Sequence, residues 1–108
     1  MELDEIYKKL CTLDIPVAYY QFTKPQKLPF AVYFEADAEI EGADNYNLFR
    51  RKTIAIELYT DKKDVSLERK LENLFCDTEL EKAVDTYLKD EKMFMVAYTF
   101  ETIQYIEN

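Results

Sequence analysis

A chain of 108 residues with 22 acidic and 14 basic side chains, formal charge -8, is long enough for one self-sufficient core and too short for two domains. Affinity for a phosphate backbone comes from Lys and Arg displacing condensed counterions, so this balance disfavours a nucleic-acid binder unless the cations gather on one face, and it disfavours an anionic membrane surface. The apolar fraction of 48% with 15% aromatics is that of a globular chain and not of a disordered one.

The first predicted element is a helix over residues 2–13. Leu3, Ile6, Tyr7, Leu10 and Leu13 recur at helical spacing, and early acids followed by Lys8 and Lys9 suit the helix dipole. Asp14 and Pro16 stop it. Residues 17–22 (VAYYQF) are β-branched and aromatic and predict a short strand. The proline-bearing stretch TKPQKLP is a loop or a sheet-edge crossing.

A long strand is expected from Phe30 to about Ile40. Its even positions, Phe30, Val32, Phe34, Ala36, Ala38 and Ile40, predict one dry face. From Tyr33 onward the odd positions, including Glu35, Asp37 and Glu39, predict a single acidic face. Gly42, the only glycine, begins a turn (EGADNYN) that leads to a returning strand over residues 49–60, with Ile54, Ile56 and Leu58 inward and Thr53, Glu57 and Tyr59 outward. Asp64 is placed to cap a second helix starting at Val65, with Leu67, Leu71, Leu74 and Phe75 as its apolar stripe and Glu68, Arg69, Lys70 and Glu72 on its wet side. Residues 77–92 fit helix or strand, with a short strand over 84–88 preferred. A final strand over residues 93–103 places Phe94, Val96, Tyr98 and Phe100 on one face. The expected fold is α+β: two helices packed on one mostly antiparallel or mixed sheet of four to five strands, in the order α-β-β-β-α-β-β.

The chemistry that is missing narrows the function. With no histidine, the commonest general base and metal ligand near neutral pH is gone, and nucleophile triads lose their usual base. A single glycine cannot build a phosphate-cradling loop. A carboxylate nuclease would want Glu-x-Lys on a strand, but Glu57 is followed by Tyr59. Asp37, Glu39 and Asp44 can be read as ligands for a hard cation, though a solvated acidic strand face explains them more simply. The expectation is a non-catalytic protein without metal or cofactor.

Three other features have a sharp and a bland explanation. The basic triplet Arg50, Arg51 and Lys52 is either a contact for an acidic partner or the counter-charge to Glu41 and Asp44. Tyr19, Tyr33, Tyr59 and Tyr98 are either base-stacking platforms or core and interface residues; the surrounding acids favour the latter. Cys11 and Cys76 are expected to be buried, reduced thiols, with a disulfide or metal pair as the alternatives. No secretory signal and no apolar run near the ~20 residues of a membrane span is present, so the chain reads as cytoplasmic. Long aromatic strands leave sheet edges to be managed, and oligomerisation is one way to do it.

The runs LPFAVY (28–33), Ala43-Asp44-Asn45, IELYTDKKD (56–64), LERKLENLF (67–75) and FMVAYTFE (94–101), in this order, resemble small structural proteins of long-tailed phages and prophages of low-GC Gram-positive bacteria. The resemblance is to tail terminators, also called tail completion or head–tail joining proteins. It implies a homo-oligomeric ring, expected to be a hexamer, that caps the tail tube and docks the head connector. The chain would reside in the bacterial cytoplasm during assembly and in the virion tail afterwards, without sequence-specific nucleic-acid binding and without a membrane. Under that resemblance Asp44, Asn45, Arg50 and Arg51 are candidate interface residues. Glu35, Asp37 and Glu39 would then border a channel through which DNA passes without sticking. An acidic protein-binding or inhibitory module that mimics DNA is the alternative.

Overall fold

The computed structural model of the chain describes residues 1–43 and 46–106. Its elements are α1 (Leu3–Cys11), β1 (Val17–Tyr19), β2 (Phe30–Ala43), β3 (Tyr46–Thr60), α2 (Val65–Leu74), β4 (Glu81–Leu88) and β5 (Met93–Tyr105), the predicted α-β-β-β-α-β-β order. The strands form one mixed sheet in the order β1-β2-β3-β5-β4, with β1 parallel to β2 and every other pair antiparallel.

Local chemistry accounts for the helix boundaries. The Asp64 carboxylate accepts from the Leu67 backbone N–H at 3.0 Å, satisfying one of the orphan donors of α2. The C-terminus of α1 closes where the Thr12 hydroxyl donates to the Lys9 carbonyl at 2.6 Å and Asp14 turns into the left-handed region at φ 60°, which an aspartate tolerates.

The core lies between the helices and one face of the sheet. Ile6 and Leu10 of α1 and Leu67, Leu71 and Phe75 at α2 meet Ile54, Ile56 and Leu58 of β3 and Val96, Tyr98 and Phe100 of β5. Burying each such side chain stabilises by about 1.5–3 kcal/mol, so the predicted stripes of both helices and of β3 and β5 hold. Tyr7 departs from its stripe: it is exposed, and its ring tilts over Tyr33 at 6.2 Å.

β2 differs from its predicted faces. Ala31 and Tyr33, not Phe30 and Val32, join the helix-side core. Phe30 instead stacks on Tyr59 at 5.0 Å, on the opposite face, where Phe22 meets it edge-on at 5.5 Å. Both faces of the start of β2 are therefore apolar, because residues 20–29 fold back over the sheet. The acidic face also divides. Glu35 pairs with Ile54 and Asp37 with Thr53, so Ala36 is an extra residue in a β-bulge. A bulge shifts alternation by one position relative to the partner strand, which leaves Glu35 on the helix side and Asp37 and Glu39 on the other.

Two burial expectations fail. Glu68, assigned to the wet side of α2, is only 3% exposed, and both cysteines are exposed free thiols. Residues 81–88 form a longer strand than the predicted 84–88. The strand over 17–22 is shorter than expected and ends at Tyr19.

The molecule measures 51 × 27 × 22 Å with a radius of gyration of 15.6 Å, against about 13 Å for a compact domain near this length. The excess comes from β2, β3 and β5, which at 14, 15 and 13 residues run past the helix layer as a projecting three-stranded blade.

Candidate functional site

The blade gathers most of the residues that sequence reasoning selected. Its two strands β2 and β3 close tightly at Gly42, where an added Cβ would collide with the Tyr46 carbonyl oxygen and come within 3.2 Å of the Asn47 Cα. The glycine serves a close backbone approach; its φ is not positive. Asp44 and Asn45, candidate interface residues, lie outside the described residues.

Cross-strand pairing sets the two faces. Towards the helix side stand Glu35, Ala38, Ile40, Arg50, Lys52, Thr102 and Gln104; towards the other stand Asp37, Glu39, Glu41, Phe49, Arg51, Ile103 and Tyr105. Arg50 and Arg51 therefore point to opposite faces. The Arg51 guanidinium pairs with Glu41 at 3.0 Å and lies 6.0 Å from the centre of the Phe49 ring. Its Nε–H is buried with no hydrogen-bond acceptor among the described residues, a cost of the kind that ring stacking partly offsets. Lys52 pairs with Glu35 at 2.9 Å. For two of the three cations, counter-charge is thus the explanation seen. Arg50 has no ion pair among the described residues.

What the sequence did not flag is the apolar character of the blade's end. Ile40 is 61% exposed, Tyr46 61%, Ile103 52% and Tyr105 84%. Solitary exposed apolar residues are ordinary; here both faces of the projection carry them, Ile40 on the helix side and Ile103 and Tyr105 on the other. The alternating pattern hid them, because it assigned Ile40 to a dry face that the helices never reach.

The tyrosines divide in the same way. Tyr33 and Tyr98 are core. Burial, then the Glu72 carboxylate that accepts from its hydroxyl at 2.7 Å, pushes Tyr98 well above the ordinary phenol range. Tyr59 is likewise raised by burial first and by its hydrogen bond to Glu57 second. The Tyr19 and Tyr33 rings pack edge to face at a separation of 5.3 Å. Its hydroxyl oxygen accepts the Glu35 backbone N–H at 3.2 Å. None of these four forms an open stacking platform.

A second polar cluster ties α2 to β4. Glu68 accepts from Lys63 and Lys82, each at 2.9 Å. Lys63 reaches on to Asp85 at 2.8 Å and Lys82 to Glu72 at 2.9 Å. Lys82 holds Glu72 below the usual carboxylate range, and the two carboxylates in turn raise Lys82. The network is closed and fully paired, which is the pattern of a structural clamp. Among the described residues no group of three or more His, Cys, Asp and Glu is placed to hold a metal ion.

On the sheet face away from the helices, Tyr20, Phe22, Phe30, Val32 and Tyr59 line a shallow groove of about 430 Å³. Tyr20 sits at φ 67°, a conformation that costs a bulky residue on the order of 1–2 kcal/mol. It is held there by its N–H bond to the Tyr33 carbonyl at 2.9 Å and edge-on packing against Phe34 at 5.3 Å.

No family model matches the sequence, and no curated protein does either. Solved structures do align, and one of them does so over 100% of this chain and 98% of its own, with a TM-score of 0.62 at 16% identity. At that identity the likeness is one of fold. No described helix is long and apolar enough to cross a membrane.

Proposed function

We propose that this chain is a non-catalytic structural subunit of a long-tailed phage or prophage, a tail terminator or tail completion protein. It assembles as a ring, expected to be a hexamer, that caps the tail tube and joins it to the head connector. The observation that carries the proposal is the projecting blade with its exposed Ile40, Tyr46, Ile103 and Tyr105, beside the ordered sequence runs that resemble that family. An isolated domain gains nothing from a sheet that outruns its helices; a subunit of a ring can cover it with its neighbour.

In this assembly Asp37 and Glu39, on the face away from the helices, border the DNA path and keep phosphate from adhering. Glu35 is set apart from them, since its carboxylate is bound to Lys52 across the sheet's other face. Arg50 remains as the cation for a neighbouring chain or virion protein. The competing proposal, an acidic module that mimics DNA, draws on the charge of -8. It wants carboxylates in a phosphate-like row, which the bulge at Ala36 and the Arg51–Glu41 pair interrupt.

Deleting the gene from an inducible prophage and imaging the particles tests the proposal. Tails of uncontrolled length, or heads without tails, are expected. Normal infectious particles would refute it.

A further inference from the structure

The sheet face away from the helices carries two uncovered surfaces, one at each end of the molecule. At the start of β2, Tyr20, Phe22, Phe30, Val32 and Tyr59 line the aromatic groove of about 430 Å³. The loop that rims it bears Lys24 and Lys27, both exposed and in no ion pair among the described residues. At the end of β5 the same face presents Glu101, Ile103 and Tyr105 in alternate positions, with Ile103 and Tyr105 exposed. Beside Ile103, the carboxylates of Glu79, Glu81 and Glu101 line a hollow of about 590 Å³. None of these three is in an ion pair among the described residues.

Each surface holds what the other lacks. The groove is apolar with cations at its rim, and the β5 row is apolar with anions at its flank. The same division runs through the whole chain. Residues 20–29, 61–64 and 89–92 are the connections at the groove end of the sheet, where Phe30 pairs with Tyr59, Thr60 with Phe94 and Leu88 with Met93. They hold six of the 14 basic residues but only four of the 22 acidic ones. The two surfaces cannot meet within one chain. Phe30, Tyr59 and Met95 stand in one register line across β2, β3 and β5, and Ile103 lies eight residues further along β5, about 27 Å away at the rise of an extended strand.

We infer that the Glu101, Ile103 and Tyr105 row of one copy docks face-on in the aromatic groove of another, with Glu79, Glu81 and Glu101 set against Lys24 and Lys27. The inference rests on the ring proposed above and names its seam. The contact uses the open face and not the strand edges, so β1 beside β2 and β4 beside β5 stay in place. Matching like with like is disfavoured. Blade against blade on this face would oppose Asp37, Glu39 and Glu101 to the same acids, and groove against groove would oppose lysine to lysine; like charges across an interface cost affinity. Asp37 and Glu39 lie two strands from the β5 row and remain available to border the DNA path. An acidic segment of another protein with an aromatic anchor would share the chemistry of the β5 row, but this chain supplies both halves itself. Since the two patches differ, the contact is heterologous and closes into a ring when the rotation between copies allows it.

The test is reciprocal charge reversal in the full chain, read by native mass spectrometry and sedimentation over a range of concentrations. One variant carries Lys24→Glu and Lys27→Glu, the other Glu79→Lys and Glu101→Lys; all four side chains are exposed, and melting temperatures check that the fold is kept. Each variant alone should associate about tenfold or more weakly than the parent, because each sets like charges across its own seam. Mixed in equal amounts the two should regain association, since opposite charges then face each other at every contact. Tyr105→Ser should weaken the parent without lowering its melting temperature. Variants that associate as tightly as the parent, a mixture no tighter than its components, or a parent that is monomeric at every concentration would overturn the inference. The ring and the tail role fail separately. A rescued mixture that stops at two copies keeps the docking contact and rejects the ring, and normal particles from the deleted prophage reject the tail role alone. A multi-subunit parent whose variants are not rescued rejects the seam and spares the ring.

Discussion

Replacing Glu68 with alanine isolates what the clamp between α2 and β4 contributes. The carboxylate is 3% exposed and takes hydrogen bonds from two lysines, whose side chains are 38% and 32% exposed. Removing one member of a fully buried pair costs about 3–5 kcal/mol, mostly for the charge left behind. Here neither lysine is orphaned, since Lys63 keeps Asp85 and Lys82 keeps Glu72, and both are partly solvated. The expected loss is therefore smaller, about 1–3 kcal/mol after discounting for solvent screening, or a drop in melting temperature of about 4–15 °C for a domain of this size. Glu68→Leu discriminates further. It removes the charge but fills the space, and should recover part or all of the loss. Urea or thermal unfolding of the three proteins at low and high salt is the assay, and the Glu68→Ala deficit should persist in high salt because the carboxylate is shielded from counterions. A Glu68→Ala protein as stable as the parent, or a deficit that vanishes with salt, would refute the clamp.

Acid should weaken the same contact. Glu72 is held below its ordinary value by Lys82 and by the Tyr98 hydroxyl, so its contribution is present above the unfolded carboxylate range and lost as pH falls through the lower folded value. Unfolding followed against pH should show Glu72→Gln flattening that loss; an unchanged slope would contradict it. At the alkaline end, Tyr98 and Lys82 are both raised, so their stabilisation is full below their unfolded values and fades as pH rises through the folded ones. Tyr98→Phe should lessen the alkaline loss in the same titration. Gly42→Ala should force the β2–β3 connection apart, because the new methyl meets the Tyr46 carbonyl. Hydrogen exchange is expected to speed up for the outer blade while the amides of Ile54, Ile56 and Leu58 keep their protection; equal protection throughout would refute the close approach.

Where side chains alternate against a well-defined partner layer, the sequence was legible. The stripe of α2 and the inward rows of β3 and β5 are regular, and Asp64 announces its cap. β2 was legible as a strand but not as two faces, since the bulge at Ala36 has no signature in residue type and the fold-back of residues 20–29 makes Phe30 and Val32 interior to a second layer. β4 was ambiguous because nearly all of it is exposed; it is held by backbone pairing and by Lys82, neither of which produces a hydrophobic period. Glu68 reads as solvated because its partners, Lys63 before the helix and Lys82 on β4, lie outside the helical period. The same limit hid the exposed apolar end of the blade: Ile40 looks like core in a sequence and Tyr105 falls beyond the strand expected to end at 103, and only the length of the blade beyond the helices shows that no described residue buries them.

The central claim, that this chain sits where a tail meets a head, is tested most directly by locating it on purified particles. Gold-labelled antibody against the full chain, viewed by electron microscopy, should decorate the single junction between head and tail. Particles that carry no label there, or label spread along the tail, would contradict the account.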